Sequence, residues 1–543
     1  MLIVGRPIKN WLDDLTGKKT YRRYREREDR KRRLRAQMLF ILAILSTLVY
    51  LFWLLGTLNM HLWWLSVPFY LCEIAGLFIL LSFALTTGYP RYHRRQGIPV
   101  EHPPTVDVFV TVCGEPYKII SATLRATARI DYPRKRVYVL DDNGDPKVRE
   151  LAAKLGFEYF AREVHSDAKA GNLNYALQRT NGEVVLTLDA DQVPHKDIIK
   201  KTVGYFSHPN IGFVQTKQVF RVPEGDSFCN SDPIFYDLMQ LGKDTDNAAF
   251  SCGSGVMYRR KALEEIGGFS TWNIVEDLHT SMLLHDKGWR SVYHNYSLSM
   301  GTAPGDIWGV YKQRQQWAAD SLRILFWDNP FRRRGLSLKQ RFQYAHLGFV
   351  YLFAGIAMPI FYVVPIISLF TGRFVINTES WHYLLYRLPS LVLTMYAYNY
   401  AYKIAKSPIP FNQAVATWLG YFPCYIYATL IALTSRKSKP VYKVNNKTWD
   451  PASKTIQFIG ILPQFLIILL SIMGILYCVS VPRIGNLNAL LNNTLWVSWT
   501  AWILHRVCIA PFKIGLAQKS AQPTPGKRSV SDALLLQKGR DHR

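Results

Sequence analysis

The feature that most constrains this chain is the segregation of its apolar residues. Long uncharged runs lie at both ends of the 543 residues, and a stretch of about 250 residues between them reads as soluble. A helix needs roughly 20 apolar residues to cross a hydrocarbon core of about 30 Å. Gln37 to Leu58 and Leu62 to Thr86 are long enough, as are His346 to Phe370, Trp381 to Tyr402, Ile456 to Val479 and Leu490 to Cys508. A multi-pass membrane protein with one water-facing domain inserted between its spans is expected.

Charge orients it. The formal net charge is +27, and much of the excess lies in Lys18 to Arg35, directly before the first apolar run. That position fits a cytoplasmic collar on anionic lipid. Nucleic acid is not an expected partner, since no nucleic-acid motif accompanies the basic residues. The seven cysteines show no paired or zinc-type spacing. No cleavable signal is expected before the first span. Gln413 to Thr434 is the ambiguous apolar run. If it crossed, the basic loop Ser435 to Lys447 would face outward. Phe411 to Thr434 is therefore read as an interfacial or re-entrant segment, leaving six crossings, with both termini and the inserted domain cytoplasmic. Glu73, inside the second span, is expected to face protein or the interface.

The resulting division is a basic arm (1–36), two spans (37–86), the inserted domain with interfacial helices (87–340), two spans (341–404), an interfacial helix and loop (405–454), two spans (455–516) and a basic tail (517–543). Within the middle, Val106 to Val112 and Arg136 to Asp142 are β-rich, while Ile119 to Ile130 and Val148 to Leu155 carry helical periodicity. Strands alternating with helices predict an α/β domain with a largely parallel sheet and ligands at the strands' carboxyl ends.

Four acidic or basic features fall where such a domain binds ligands. Asp141 and Asp142 end one strand. Lys169 stands before a glycine-containing helix start in Ala168 to Leu177. Asp189 and Asp191 end the apolar run from Val184, spaced to share a hard divalent cation. Glu276 and Asp277 precede an apolar helical segment, and Gln313 to Trp317 (Gln-Arg-Gln-Gln-Trp) follows downstream.

In that order these features resemble the processive family 2 glycosyltransferases of the cellulose synthase type, whose relatives make hyaluronan, chitin and other β-glycans. The family pattern is Asp, Asp-x-Asp, then a catalytic Asp about 35 residues before Gln-x-x-Arg-Trp. Here 35 residues separate Asp277 from Gln313. Phe250-Ser251-Cys252-Gly253-Ser254 is similar to a further family motif, and the resemblance extends from about Gln37 to Leu516.

The resemblance implies a GT-A-like domain and a single inverting displacement. It implies that Asp277 is the general base and that Asp189 and Asp191 hold Mg²⁺ or Mn²⁺ on the diphosphate. It assigns the donor nucleotide to Asp141, Asp142, Lys169, Asp189, Gln313, Arg314 and Gln316, and the acceptor to Trp317, Cys252, Gly253 and Ser254. Tyr442, Val444 and Lys447 would belong to a gating loop.

The chain departs from the pattern at Gln316, which replaces the motif arginine, with Arg314 nearby as a compensating cation. Val275 precedes Glu276-Asp277 in place of Thr, and Asn143 follows Asp142 in place of Gly; no counterpart of the carboxy-terminal cyclic-di-GMP domain of bacterial cellulose synthases is expected.

The expected function is polymerisation of glucose from UDP-glucose into a cellulose-like β-glucan, passed across a bacterial inner membrane through the chain's own helices. Expected partners are the UDP-sugar, the growing glycan, anionic lipid and accessory export subunits. Trp53, Trp63, Trp64, Tyr396 and Tyr400 are aromatic candidates for stacking on a neutral glucan. A β-1,3- or mixed-linkage glucan, another UDP-sugar polymer, a nonprocessive lipid-linked transferase and a nonenzymatic scaffold are the alternatives.

Overall fold

A computed structural model describes residues 18–87, 102–222, 226–404, 409–436, 454–481 and 487–520. The gating-loop residues Tyr442, Val444 and Lys447 lie outside them, as does most of the basic loop 435–447.

The middle domain is built on one eight-stranded sheet: β1 (Val106–Val112), β2 (Lys135–Asp141), β3 (Glu158–Phe160), β4 (Val184–Asp189), β5 (Val193–Pro194), β6 (Ile211–Arg221), β7 (Val256–Arg259) and β8 (Arg290–Thr302), in the spatial order β3-β2-β1-β4-β7-β6-β8-β5. The first half matches the expectation. β1 runs parallel to β2 and β4, and every residue of β1 is buried, as a near-continuous Val/Phe/Thr run requires of a sheet covered on both faces.

The second half does not. β7 is antiparallel to both β4 and β6. β7 is only four residues long, too short to show the apolar periodicity that the parallel strands display. The sheet is therefore mixed. Two apolar layers cover it, one around Val108, Leu186 and Met257, the other around Phe109, Val185 and Phe213.

Among the described residues, four helical stretches are long and apolar enough to cross a membrane: Arg30–Thr57, Met60–Thr87, Leu338–Thr371 and Lys454–Ser480. Helices of sufficient length also form at the other two expected spans, Ser380–Ile404 and Leu487–Ser520, but neither is among the four that are apolar enough. The ambiguous segment is two helices, Phe411–Gly420 and Phe422–Thr434, bent by 51°. Pro423 sits in the first turn of the second, where its missing N–H costs nothing. A bent pair suits a segment that does not simply cross.

Glu73 faces protein. Its carboxylate accepts from Arg387 Nη1 at 3.0 Å and from Tyr50 Oη at 3.2 Å, so three helices share one buried pair. The Arg387 guanidinium also lies over the rings of Tyr50 and Trp496.

Candidate active site

Register brings the acidic residues to one sheet edge. Val112 pairs with Asp141 across β1 and β2, and Thr111 pairs with Asp189 across β1 and β4. The carboxyl ends of three parallel strands are level, which is where open α/β sheets take ligands.

Lys169 joins this edge to Asp277. It opens the Ala168–Leu177 helix directly after two non-glycine residues in the left-handed region, Asp167 (φ 62°) and Ala168 (φ 45°). Such backbone is uncommon and concentrates at functional sites. The Lys169 ammonium lies 2.8 Å from Asp189 Oδ1, 2.9 Å from Glu276 Oε1 and 2.8 Å from the Gly253 carbonyl. Burial lowers its pKa, but Asp189 and Glu276 outweigh that and hold it well above the ordinary lysine value.

Gly253 makes this convergence sterically possible. It adopts φ +75°, and a Cβ there would lie 2.9 Å from Lys169 Nζ, 3.2 Å from Asp277 Oδ2 and 3.3 Å from Glu276 Oε1. The chain around it is stitched to the sheet edge: the Asp189 amide donates to Ser254 Oγ at 2.9 Å, and the Cys252 amide donates to Gln215 Oε1 at 2.7 Å.

Asp277 opens the Asp277–Asp286 helix. Burial first, then the neighbouring Glu276 charge, raise its carboxyl well above the usual carboxylate range, while Lys169 and the Leu278 amide pull the other way. A carboxylate whose pKa is raised is a stronger base toward a hydroxyl than an ordinary one. Asp277 shares one cavity with Cys252, Trp317 and Asp320, and the same cavity reaches Glu73 and Trp496 on the apolar helices.

Asp189 and Asp191 offer hard oxygen donors at the edge of the cluster, and Asp191 Oδ2 also accepts the Thr302 amide at 2.9 Å. Among the described residues, no group of three or more His, Cys, Asp or Glu side chains forms a metal cage. Mg²⁺ needs none, because it binds through one or two carboxylates and takes waters and substrate phosphates for the rest. The donor set fits such an ion, with Asp189 and Asp191 as its holders.

Several expected site residues are engaged otherwise. Asp141 is fully buried, and its carboxylate accepts the Asn143 and Asp145 amides and the Tyr159 hydroxyl. Asp142 is held bidentately by Arg162 at 2.8 and 2.7 Å. Asp141 thus closes the turn after β2, and Asp142 is tied through Arg162 to the Ser166 and Ala168 carbonyls. Gly253 and Ser254 do not join Cys252 in lining the cavity, because the Ser254 hydroxyl is buried beneath Asp189.

Arg314, the cation nearest Gln316 in sequence, is engaged by protein partners. It pairs with Asp232 at 3.3 Å, donates to the Cys229 carbonyl and lies over the Tyr421 ring. On the Ile307–Trp327 helix, Arg314 stands three residues before Trp317 and lines the same cavity as Trp317 and Asp277, whereas Gln313 is not among the lining residues. Gln316 is buried and is not among the cavity-lining residues.

Sequence reasoning gave Glu276 no role and missed Asp232 and Asp320. Asp320 follows Trp317 on the same helix by three residues, a spacing that a scan for local motifs passes over.

Residues 103–319 match the glycosyltransferase-like family 2 model, and residues 264–400 match the cellulose synthase model. The cellulose synthase 1 catalytic subunit [UDP-forming] of Komagataeibacter xylinus is 32% identical over 410 residues, covering 72% of this chain and 53% of that protein. The corresponding catalytic subunit of Pseudomonas fluorescens SBW25 is 32% identical over 371 residues, covering 65% of this chain and 50% of that one. The chain thus spans about half the length of these two relatives, and 26% of a longer one, cellulose synthase 1 of K. xylinus.

Among solved structures, a mannosyltransferase from Pyrobaculum calidifontis in complex with GDP-Man and Mn²⁺ superposes with a TM-score of 0.52 at 18% identity, over 69% of this chain and all of that one. That likeness is one of fold, and it identifies the middle domain as GT-A-like. Residues 103–400 thus belong to the family 2 glycosyltransferases of the cellulose synthase type.

Proposed function

We propose that the chain is a processive inverting glycosyltransferase that polymerises glucose from UDP-glucose into a β-glucan and passes the product across the plasma membrane. The observation that carries this reading is the single cavity joining Asp277 and Trp317 to Glu73 and Trp496 on the apolar helices. A transferase that releases its product into water after each step has no use for such a continuation.

In the proposed reaction Asp277 accepts the proton of the acceptor's terminal hydroxyl as that oxygen attacks the anomeric carbon of the donor. One displacement forms the new glycosidic bond, breaks the bond to UDP and inverts α to β. The Trp317 ring offers an apolar face to the terminal sugar and orients the attacking hydroxyl. Lys169 holds the Asp189 and Glu276 carboxylates in place and keeps the local charge balanced. Asp189 and Asp191 would hold a divalent cation, whose charge would offset that of the departing diphosphate. With both termini cytoplasmic, the domain meets UDP-sugar on the inner face, and the basic arm rests on anionic lipid.

The test is purified protein in lipid with individual UDP-sugars and Mg²⁺ or Mn²⁺, followed by product sizing and digestion with linkage-specific glucanases. A long product from UDP-glucose that a β-1,4-glucanase degrades supports the reading. A β-1,3-linked or mixed product corrects the linkage, and another sugar corrects the donor. A single sugar on lipid, or no UDP release from any donor, overturns it.

A further inference from the structure

We propose that Asp320 is a positioning residue for Asp277, fixing the segment that carries the base to the helix that carries Trp317. The inference rests on the assignment of Asp277 as general base.

The Asp320 carboxylate forks onto two consecutive backbone amides. Ile274 donates to Oδ1 at 2.9 Å and Val275 to Oδ2 at 2.8 Å. Val275 is two residues from Asp277. The same helical turn makes further ties to this segment: Asn273 Nδ2 donates to the Asp320 carbonyl at 3.3 Å, and Arg323 Nη1 donates to the Trp272 carbonyl at 3.0 Å. Asp320, Asn273 and Arg323 are each 1% exposed. Residues 272–275 are therefore bound, atom by atom, to one turn of the helix that presents Trp317 one turn earlier. The base and the acceptor's aromatic platform move together or not at all.

Asp320 also acts through its charge. Of the groups facing Asp277, Glu276 and Asp320 raise its pKa and Lys169 lowers it. The buried neighbours Cys252, Tyr236 and Tyr258 stay neutral, since burial pushes each of them up. Asp320 itself is pushed up to about 7 by burial, against the Val275 and Ile274 amides and the nearby Arg323. The helix thus sets both where the base stands and how readily it takes a proton.

A carboxylate that accepts two amides is often only a local cap, and loss of a cap lowers stability without moving a titration. The test therefore reads the pH dependence of UDP release in lipid-reconstituted protein. Asp320→Asn keeps one acceptor and removes the charge. Expected are a drop in kcat of about tenfold with the KM for donor within about twofold, and an acid limb of kcat/KM moved to lower pH to the extent that Asp320, pushed up to about 7, is ionised there.

Asp320→Glu keeps the charge and displaces the fork. It should lower kcat while leaving the acid limb at its wild-type position, and it carries the test if the Asn variant does not fold. An unmoved acid limb in Asp320→Asn overturns the proposal, as does wild-type kcat in Asp320→Glu. Asp277→Asn separates the two levels. If it retains activity, the base assignment itself fails. If it is inactive with donor binding intact, the Asp320 result stands alone.

Discussion

Lys169 and Asp189 form an ion pair at 2.8 Å across the edge of the sheet, with the ammonium on the side that faces Glu276. Lys169 thereby lies directly between the strand that ends at Asp189 and the helix that Asp277 opens. Replacing it with Met should lower kcat by about 100-fold, the scale seen when one preorganised electrostatic partner is removed from an active site. Asp277 also loses its positive neighbour, so its pKa rises further and the acid limb of kcat/KM moves to higher pH, opposite in sign to the shift expected for Asp320→Asn. A pH series of UDP release checks both.

Asp189→Asn should weaken Mn²⁺ binding measured by calorimetry in the presence of UDP, by about tenfold or more, because a neutral amide is a poor substitute for a carboxylate toward a hard cation. Chelation of the wild-type protein should abolish UDP release, and Mn²⁺ or Mg²⁺ should restore it. Unchanged Mn²⁺ affinity in the variant would remove Asp189 from the cation site.

Gly253→Ala places a methyl 2.9 Å from Lys169 Nζ in a backbone conformation that disfavours any side chain. Lys169 must retreat from the Gly253 carbonyl. The expected result is a loss of about 100-fold in kcat, with a stability loss of only about 1–2 kcal/mol, measured by turnover and thermal melting.

His285 is buried and hydrogen-bonded to Tyr344 Oη at 2.7 Å and Ser291 Oγ at 3.0 Å, and burial pushes its pKa down to about 3. Between pH 6.5 and 3 the unfolded chain therefore binds a proton that the folded one refuses. Stability is fully present above about pH 6.5 and falls as pH drops toward 3, by about 1.4 kcal/mol per unit at most. His294, pushed down to about 4, acts in the same direction. Melting temperatures at pH 5 and 7 should differ less in His285→Gln than in the wild type.

Glu73→Ala should cost about 3–5 kcal/mol, because it strands Arg387 among buried helices. Glu73→Gln with Arg387→Met should cost clearly less. Thermal unfolding in detergent separates the two, and equal losses would show that packing rather than charge holds the three helices.

The fold was legible where physics leaves a periodic trace. β1 and the Ala168–Leu177 helix occupy the spans their patterns indicate, and the separation of Asp277 from Gln313 pointed to the family. What the sequence left open shares one cause: residue type does not carry orientation or partners. An aspartate at a strand end serves a turn as readily as a ligand, and Asp141 serves the turn. A guanidinium beside a motif can also be held by a protein carboxylate, as Asp232 holds Arg314. β7 was too short to announce its direction, and Asp320 carries no motif at all.

The reversal at β7 has a practical side. An antiparallel strand begins where its parallel neighbours end, so the peptide from Cys252 to Ser254 reaches the chemistry from the residues before the strand. The residues after it leave by the opposite rim, where the Arg260 amide meets the Glu183 carbonyl at the start of β4. Exposed Lys261 stands there, a full strand length from Lys169 and Asp277. A fluorophore or affinity handle attached at that rim would follow the domain during turnover while leaving the reacting groups untouched.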